Sequence, residues 1–410
     1  MSKNTTGKLA QNNWFITIFA AITFATNFTI PMAGMPVLFK EISIDLNLNV
    51  LQIGTVWGMI SLGSIFVMPV GGILGDRIGN RRAIVIIGLL SGLTGALRGV
   101  SNSFISLMAT TFLWGLISAS IIPAINIMAS AYAPKHKQGL AQGLVGSGGA
   151  LGLTLGSILS AALLSPWLGG WRYVLIAYGG VSVLVSLIWL FIVKEPDLKT
   201  DGSPHQSLSF PQAFAYLFRL KALWIIGLSM LAYQGCIMGM QGFLPYFLQS
   251  NGWTGLAASG ALAAYNAAGT LGAIPLTIFS DRIGSRKIPI MLAFVTTIIS
   301  IGLLSVVHNW ILWVLVVFAG IFFPMSSALF TTLVLEVREV GSTYAGTAVG
   351  LMLSIAFIGR AVAPPIGNSL ADISGTFSWP FIFWAALCVV GAVLLGFIKE
   401  TGRRGKVKKP

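Results

Sequence analysis

The sequence predicts an all-α membrane protein: twelve transmembrane helices in two pseudo-symmetric six-helix bundles. Three observations carry that reading. Hydrophobic residues make up 55% of the chain and charged residues only 9%, too few charges to coat a soluble protein of this length. Apolar stretches of about 20 residues, enough to cross about 30 Å of hydrocarbon, occur twelve times. A basic loop motif in the first half returns 205 residues later in the second.

The spans fall near 13–38, 51–74, 83–101, 104–132, 139–165, 171–193, 220–248, 256–279, 288–307, 310–335, 343–369 and 378–398. The first follows a polar stretch and far exceeds the 7 to 15 apolar residues of a signal peptide, so it should stay uncut. Several exceed the bare crossing length, which implies tilt. The fifth carries glycines at 143, 146, 148, 149, 152 and 156, a spacing that lets a neighbouring backbone approach closely. Between the sixth and seventh spans, residues 194–219 hold Pro196, Pro204, Pro211, Asp197, Asp201 and Ser203, the composition of a solvated linker. The chain therefore divides into a bundle at 1–193, a cytoplasmic linker at 194–219 and a bundle with a basic tail at 220–410.

A net charge of +14 would suggest nucleic acid, but the charges sort by side. With the termini and alternate loops counted as one face, that face holds every Lys and Arg except Lys40, Arg98, Arg172 and Arg360. By the positive-inside rule both termini are cytoplasmic in a multi-pass cell (inner) membrane protein. The tail from Lys399 to Lys409 reads as a topology anchor touching anionic lipid. Cys236 and Cys388 both lie within spans, as small apolar residues do. No cluster of His, Cys, Asp or Glu suggests a metal, a cofactor or an enzyme's nucleophile and base.

The repeat is specific. Residues 75–82 read GDRIGNRR and residues 280–287 read SDRIGSRK, each in the short loop after the second span of its half-pattern. A second echo pairs Gln142-Gly143-Leu144 through Gly152 with Val349-Gly350-Leu351 through Gly359. With six plus six spans and a long central loop, the run Gly72-x-Leu74-Gly75-Asp76-Arg77-x-Gly79-x-Arg81-Arg82 resembles the loop signature of the major facilitator superfamily. The resemblance covers essentially the whole chain. The second copy departs from it, lacking the leading glycine and leucine and having Ser280 in place of Gly75.

The resemblance implies two bundles rocking about a central cavity, with substrate near the midplane. It implies a cytoplasmic gate of Gly72, Asp76, Arg77 and Gly79, with Asp281 and Arg282 as the second copy. Asp76 would face the positive dipole end of the eleventh helix. It also implies that the fifth helix approaches the eighth, and that the first, fourth, seventh and tenth helices line the pathway. Gly169-Gly170-Trp171-Arg172-Tyr173 and Gly242-Phe243-Leu244-Pro245 resemble, more faintly, the cyanate and nitrate/nitrite-type porters.

Ionisable residues within spans are costly and mark function by default. All eleven acids fall in loops or at helix ends, Glu336 nearest to a span and placed to pair with Arg338 or a loop base. Two arginines remain inside. Arg98, about 15 residues into the third span, lies close enough to its outer end to snorkel to the headgroups. Arg360 lies about 27 Å along the eleventh helix from Ser342. Around it, Gly359, Pro364, Pro365 and Gly367 describe a loosened helix. A guanidinium with five donors and no acid beside it invites an anion.

Polar residues share faces on the pathway helices: Thr23, Thr26 and Asn27; Ser118, Asn126 and Ser130; Tyr233, Gln234, Met238 and Gln241; Ser327 and Thr331. The expected substrate site is Arg360 with Tyr233, Gln234, Gln241, Asn27 and Asn126, although such residues also glue helices together in lipid. Trp57, Trp114, Tyr265 and Asn266 could join it or serve only in packing. The expected protein is a secondary active or facilitative transporter of a small organic or inorganic anion, without cofactor or metal, working as a monomer in the bilayer. The alternatives are a proton-driven drug or metabolite efflux antiporter and, remotely, a non-transporting receptor or enzyme.

Overall fold

A computed structural model describes residues 14–66, 78–192, 215–307, 310–337, 339–398 and 400, and among them there is helix and no strand. Twelve rods follow in order: α1 Trp14–Asp45, α2 Val50–Ile65, α3 Asn80–Gly99, α4 Phe104–Ala131, α5 Gln138–Leu168, α6 Trp171–Ile192, α7 Lys221–Ser250, α8 Gly255–Ile283, α9 Lys287–Leu303, α10 Ile311–Leu335, α11 Gly341–Ser374 and α12 Ser378–Gly396. Ten are long and apolar enough to cross a membrane; α2 and α9 are shorter apolar helices. Phe15, Leu93, Leu184, Leu271, Phe318 and Val393 are among the large apolar side chains facing outward, as a lipid-facing surface requires.

Local chemistry sets the ends and bends. At the start of α2 the Asn49 side chain accepts from the Gln52 N–H at 2.8 Å, and Gln52 Oε1 accepts from the Asn49 N–H at 3.0 Å. Ser103 and Ser106 repeat this capping box before α4, each satisfying backbone donors that a helix start leaves unpaired. Inside α1 a π-helical turn occupies Ala25–Thr29. Pro31 lacks the N–H that would bond the Asn27 carbonyl, and Ser91 Oγ donates to that carbonyl instead, at 3.3 Å. α4 is interrupted around Ala119 and Ser120, one turn before Pro123.

The chain forms two compact units, Met1–Thr200 with Leu244–Ala263, and Asp201–Phe243 with Ala264–Pro410. In the first, glycines let backbones meet. A side chain on Gly63 would strike the Phe112 carbonyl of α4, and one on Gly115 the Ile60 carbonyl of α2. Four of the fifth helix's glycines, at 148, 149, 152 and 156, pack on Ala21, Phe24, Thr29 and Ile30 of α1. At the Asp45 end, Arg172 pairs with Asp45 at 2.9 Å and donates to the Ser101 carbonyl at 2.6 Å. One base therefore binds the ends of α1, α3 and α6 together. The segment from α7 and α8 belongs here because Lys40 Nζ donates to Ser250 Oγ at 3.2 Å and lies over the Tyr246 ring. Gln249 Nε2 donates to the Val37 carbonyl nearby, also at 3.2 Å.

In the second unit, Gly235 of α7 and Gly359 of α11 meet backbone to backbone, as do Gly272 of α8 and α10, and Gly320 of α10 and α8. Glu336 pairs with the loop base Arg286 at 3.3 Å. Glu400 caps the start of α9, accepting from the Arg286 N–H at 2.9 Å, the Lys287 N–H at 3.3 Å and Ser285 Oγ. A carboxylate on those donors completes the helix end and complements its dipole. Glu400→Ala is expected to lower stability by about 1–2 kcal/mol, read as a lower melting temperature in detergent; an unchanged value would mean the cap contributes nothing.

The duplicated motif has a duplicated backbone. Gly79 has φ 89° and its counterpart Gly284 has φ 68°, a region that side chains disfavour. Each places a loop base at the end of its bundle's last helix. Arg81 Nε donates to the Trp189 carbonyl at 3.3 Å and Nη2 to the Leu190 carbonyl. Lys287 Nζ donates to the Gly396 and Ile398 carbonyls at 2.6 and 2.7 Å. Both satisfy the last carbonyls of a helix, where a cation is favourable.

Candidate functional site

Of the two arginines expected within spans, Arg360 sits on α11 where α7 comes closest. The Gly235 and Gly359 crossing, with Ala363 beside it, brings the guanidinium to the Met238 thioether, Nη2 to Sδ at 3.6 Å. The cation lies over the Phe357 ring at 5.2 Å. Its Nε is buried and has no hydrogen-bond partner among the described residues. Pro364 and Pro365 lack the N–H groups that would bond the Arg360 and Ala361 carbonyls, so this part of α11 carries unspent acceptors as well. Trp384 Nε1 donates to the Ala363 carbonyl at 3.1 Å, bracing the helix just beyond the arginine.

The predicted residues of α7 divide into two directions. Met238 reaches Arg360, and Gln234 and Gln241 share its face at helical spacing. Tyr233 is wholly buried and turns to α9, where Thr297 Oγ1 donates to its hydroxyl at 3.4 Å and Phe294 meets its ring edge-on at 5.0 Å. Tyr265 of α8 supplies a buried hydroxyl without a partner among the described residues, within electrostatic reach of Arg360. The unit thus gathers a cation, a phenol and carboxamides with no described carboxylate beside the cation, chemistry suited to a negatively charged group.

In the first unit the residues expected to bind substrate are held differently. Thr23 and Asn27 face α6, as does the Thr26 carbonyl. Trp189 Nε1 donates to Thr23 Oγ1 at 2.8 Å, Ser182 Oγ to the Thr26 carbonyl at 2.8 Å and Ser186 Oγ to Asn27 Oδ1 at 3.4 Å. Asn27 also donates to the Thr23 carbonyl at 3.2 Å and is fully enclosed. This is hydrogen bonding between helices in an apolar solvent.

Asn126 lines a cavity of about 350 Å³ with Ile127, Ser130, Ala131, Gln138 and Gln142. Gln142 Nε2 donates to the Asn126 carbonyl at 2.9 Å and to Ser130 Oγ at 2.6 Å, joining α4 to α5 and leaving an amide-lined, uncharged wall. Sequence reasoning used Gln142 only as a repeat marker. Its counterpart Val349 is apolar, and that contrast was the available signal.

Arg98 does not snorkel. It is wholly buried and folds back along α3, with Nε donating to the Gly95 carbonyl at 3.3 Å and the guanidinium over Trp114 at 4.1 Å. Helical side chains lean toward the N-terminus of their helix, so this one leans away from the near end at Gly99. Of the expected gate, Gly72, Asp76 and Arg77 lie outside the described residues, as does the Asp281 side chain. Gly79 opens α3, and Arg282 is exposed in the last turn of α8.

The sequence matches the family model of the Major Facilitator Superfamily over residues 15–345. It is 24% identical over 385 residues to the probable sulfoacetate transporter SauU of Cupriavidus necator, covering 86% of each chain. It is 24% identical over 417 residues to the cis,cis-muconate transport protein of Acinetobacter baylyi, covering 97% of this chain and 98% of that one. Its fold is similar, with a TM-score of 0.73 at 19% identity, to an inward-facing, unoccupied bacterial homologue of the human lysosomal transporter Spinster, covering 93% and 92% of the two chains.

Proposed function

The chain belongs to the major facilitator superfamily and is a multi-pass membrane transporter of a small solute, and on that footing we propose that its cargo is a small organic or inorganic anion carried by alternating access. The observation that carries this reading is Arg360, a partly buried guanidinium whose Nε has no partner among the described residues, with a phenol within electrostatic reach and no described carboxylate at its side. A cation held in a low-dielectric interior without a counter-charge favours a ligand that brings one. Relatives named for sulfoacetate and for cis,cis-muconate support the same direction. Both termini lie in the cytoplasm of the cell (inner) membrane in this reading, and the gate is the loop of Asp76 and Arg77.

No acid of the sequence lies in the middle of a span. The proposal therefore includes facilitated diffusion, exchange or symport in which the cargo carries the charge, and not an antiport worked by a buried carboxylate. Uptake by the purified chain in proteoliposomes, measured with small carboxylates, sulfonates and inorganic anions beside neutral and cationic solutes, tests it. Saturable uptake of one or more anions is expected. Uptake confined to neutral or cationic solutes and driven by an imposed pH gradient would overturn it.

A further inference from the structure

Arg98 remains unused by the reading above. It is one of the largest fully enclosed side chains of the molecule, and only one of its five N–H groups is engaged, Nε on the Gly95 carbonyl. Nη1 and Nη2 are buried and have no hydrogen-bond partner among the described residues. The unit's two described carboxylates are engaged elsewhere: Glu41 accepts from Ser165 Oγ, and Asp45 accepts from Trp171 and Arg172. Attraction to the face of Trp114 steadies the charge but leaves four N–H groups without acceptors, and a low-dielectric interior penalises each.

The same face of α4 supplies another unsatisfied donor. Thr111 lies one turn before Trp114 on that helix, and its hydroxyl is buried and has no partner among the described residues. Phe28 of α1 stacks on the far side of Trp114, 5.9 Å between ring centres, so the indole is clamped between a ring and a cation. Gly95 lets the indole and the guanidinium pack against α3: a β-carbon there would lie 3.4 Å from Trp114 and 3.7 Å from Nη2.

We propose that Arg98, with the hydroxyl of Thr111, forms a second anion-binding site wholly within the first unit, separate from Arg360. It takes one small anionic group along the Nη1 and Nη2 edge of the guanidinium, the fork geometry that matches a carboxylate or nitrate. That group is either a free inorganic anion or the charged end of a transported acid. The site stands on its own observations, whatever the cargo proves to be.

The test is thermal unfolding of the purified full-length chain in detergent, titrated with sodium nitrate and sodium formate. Ionic strength is held constant with a bulky sulfonate salt. The background is Arg360→Gln, which removes the other proposed anion contact and is expected to gain melting temperature saturably. Adding Arg98→Gln is expected to abolish the gain, and adding Arg98→Lys to require about ten times more anion. Adding Thr111→Val keeps the charge and the packing; it is expected to raise the midpoint several-fold, and it decides the matter if Arg98→Gln does not fold. A gain that persists at saturating transported acid assigns the site to a free ion, and one that the acid displaces assigns it to the cargo. The proposal is overturned if Arg360→Gln shows no saturable gain, or if neither Arg98→Gln nor Thr111→Val added to it alters the gain.

Discussion

Arg360→Gln is expected to lower kcat/KM for anion uptake by about a hundredfold or more, and Arg360→Lys by about tenfold. Hydrogen bonds to a charged group contribute about 1.5–3 kcal/mol each, and a guanidinium offers two in parallel to one oxyanion. Losing a pair costs at least about 3 kcal/mol, which corresponds to roughly two decades in affinity. Lysine restores the charge and not the fork. Its ammonium would also lack the Nη2 contact with Met238 Sδ and the planar stacking over Phe357 that position the native side chain. Initial rates in proteoliposomes, normalised to monodisperse protein, measure the effect. A glutamine variant within about threefold of wild type, folded and inserted, would remove Arg360 from the recognition of cargo.

The second large effect is structural and pairs two adjacent glycines. Gly179→Val is expected to lower the melting temperature by about 10 °C or to prevent folding, whereas Gly180→Ala should leave it unchanged. A β-carbon on Gly179 would drive into the Gly92 carbonyl and lie 2.7 Å from the backbone N and Cβ of Ala96. Reciprocally, one on Gly92 would stand 2.7 Å from the Gly179 carbonyl. These neighbours are backbone, so α3 and α6 must separate, and overpacking costs about 3 kcal/mol, equivalent to several degrees for units of this size. Gly180 has nothing within 4 Å. Thermal unfolding followed by size-exclusion chromatography distinguishes them; equal behaviour of the two variants would contradict the close packing of α3 on α6.

Hydropathy and repetition expose the rods of this fold because both are local or periodic properties. Their ends are less legible: α1 was expected to stop near residue 38 and runs to Asp45, because no Gly or Pro lies between Leu38 and Asn47, whose φ is 52°. Helical phase groups Thr23, Thr26 and Asn27 on one face, but phase alone does not say which neighbour a face meets, and here the side chains of Thr23 and Asn27 meet α6. Arg98 was read by its distance from a helix end, when the lean of helical side chains toward the N-terminus already pointed it inward. The pairing of Glu336 with a loop base was legible from charge alone. Which base it would be, Arg286, depended on the fold of the loop.

That pairing bears on the history of the two halves. Arg286 stands where the first half has Arg81, and Glu336 ends α10 where its counterpart α4 carries no acid. With an acid on α10, Arg286 is drawn to it, and the neighbouring Lys287 takes over the helix end that Arg81 serves in the first half. A single acidic residue in one copy has thus redistributed the duties of two adjacent bases. The copies have kept a common backbone while ceasing to be interchangeable parts, a division of labour left by duplication.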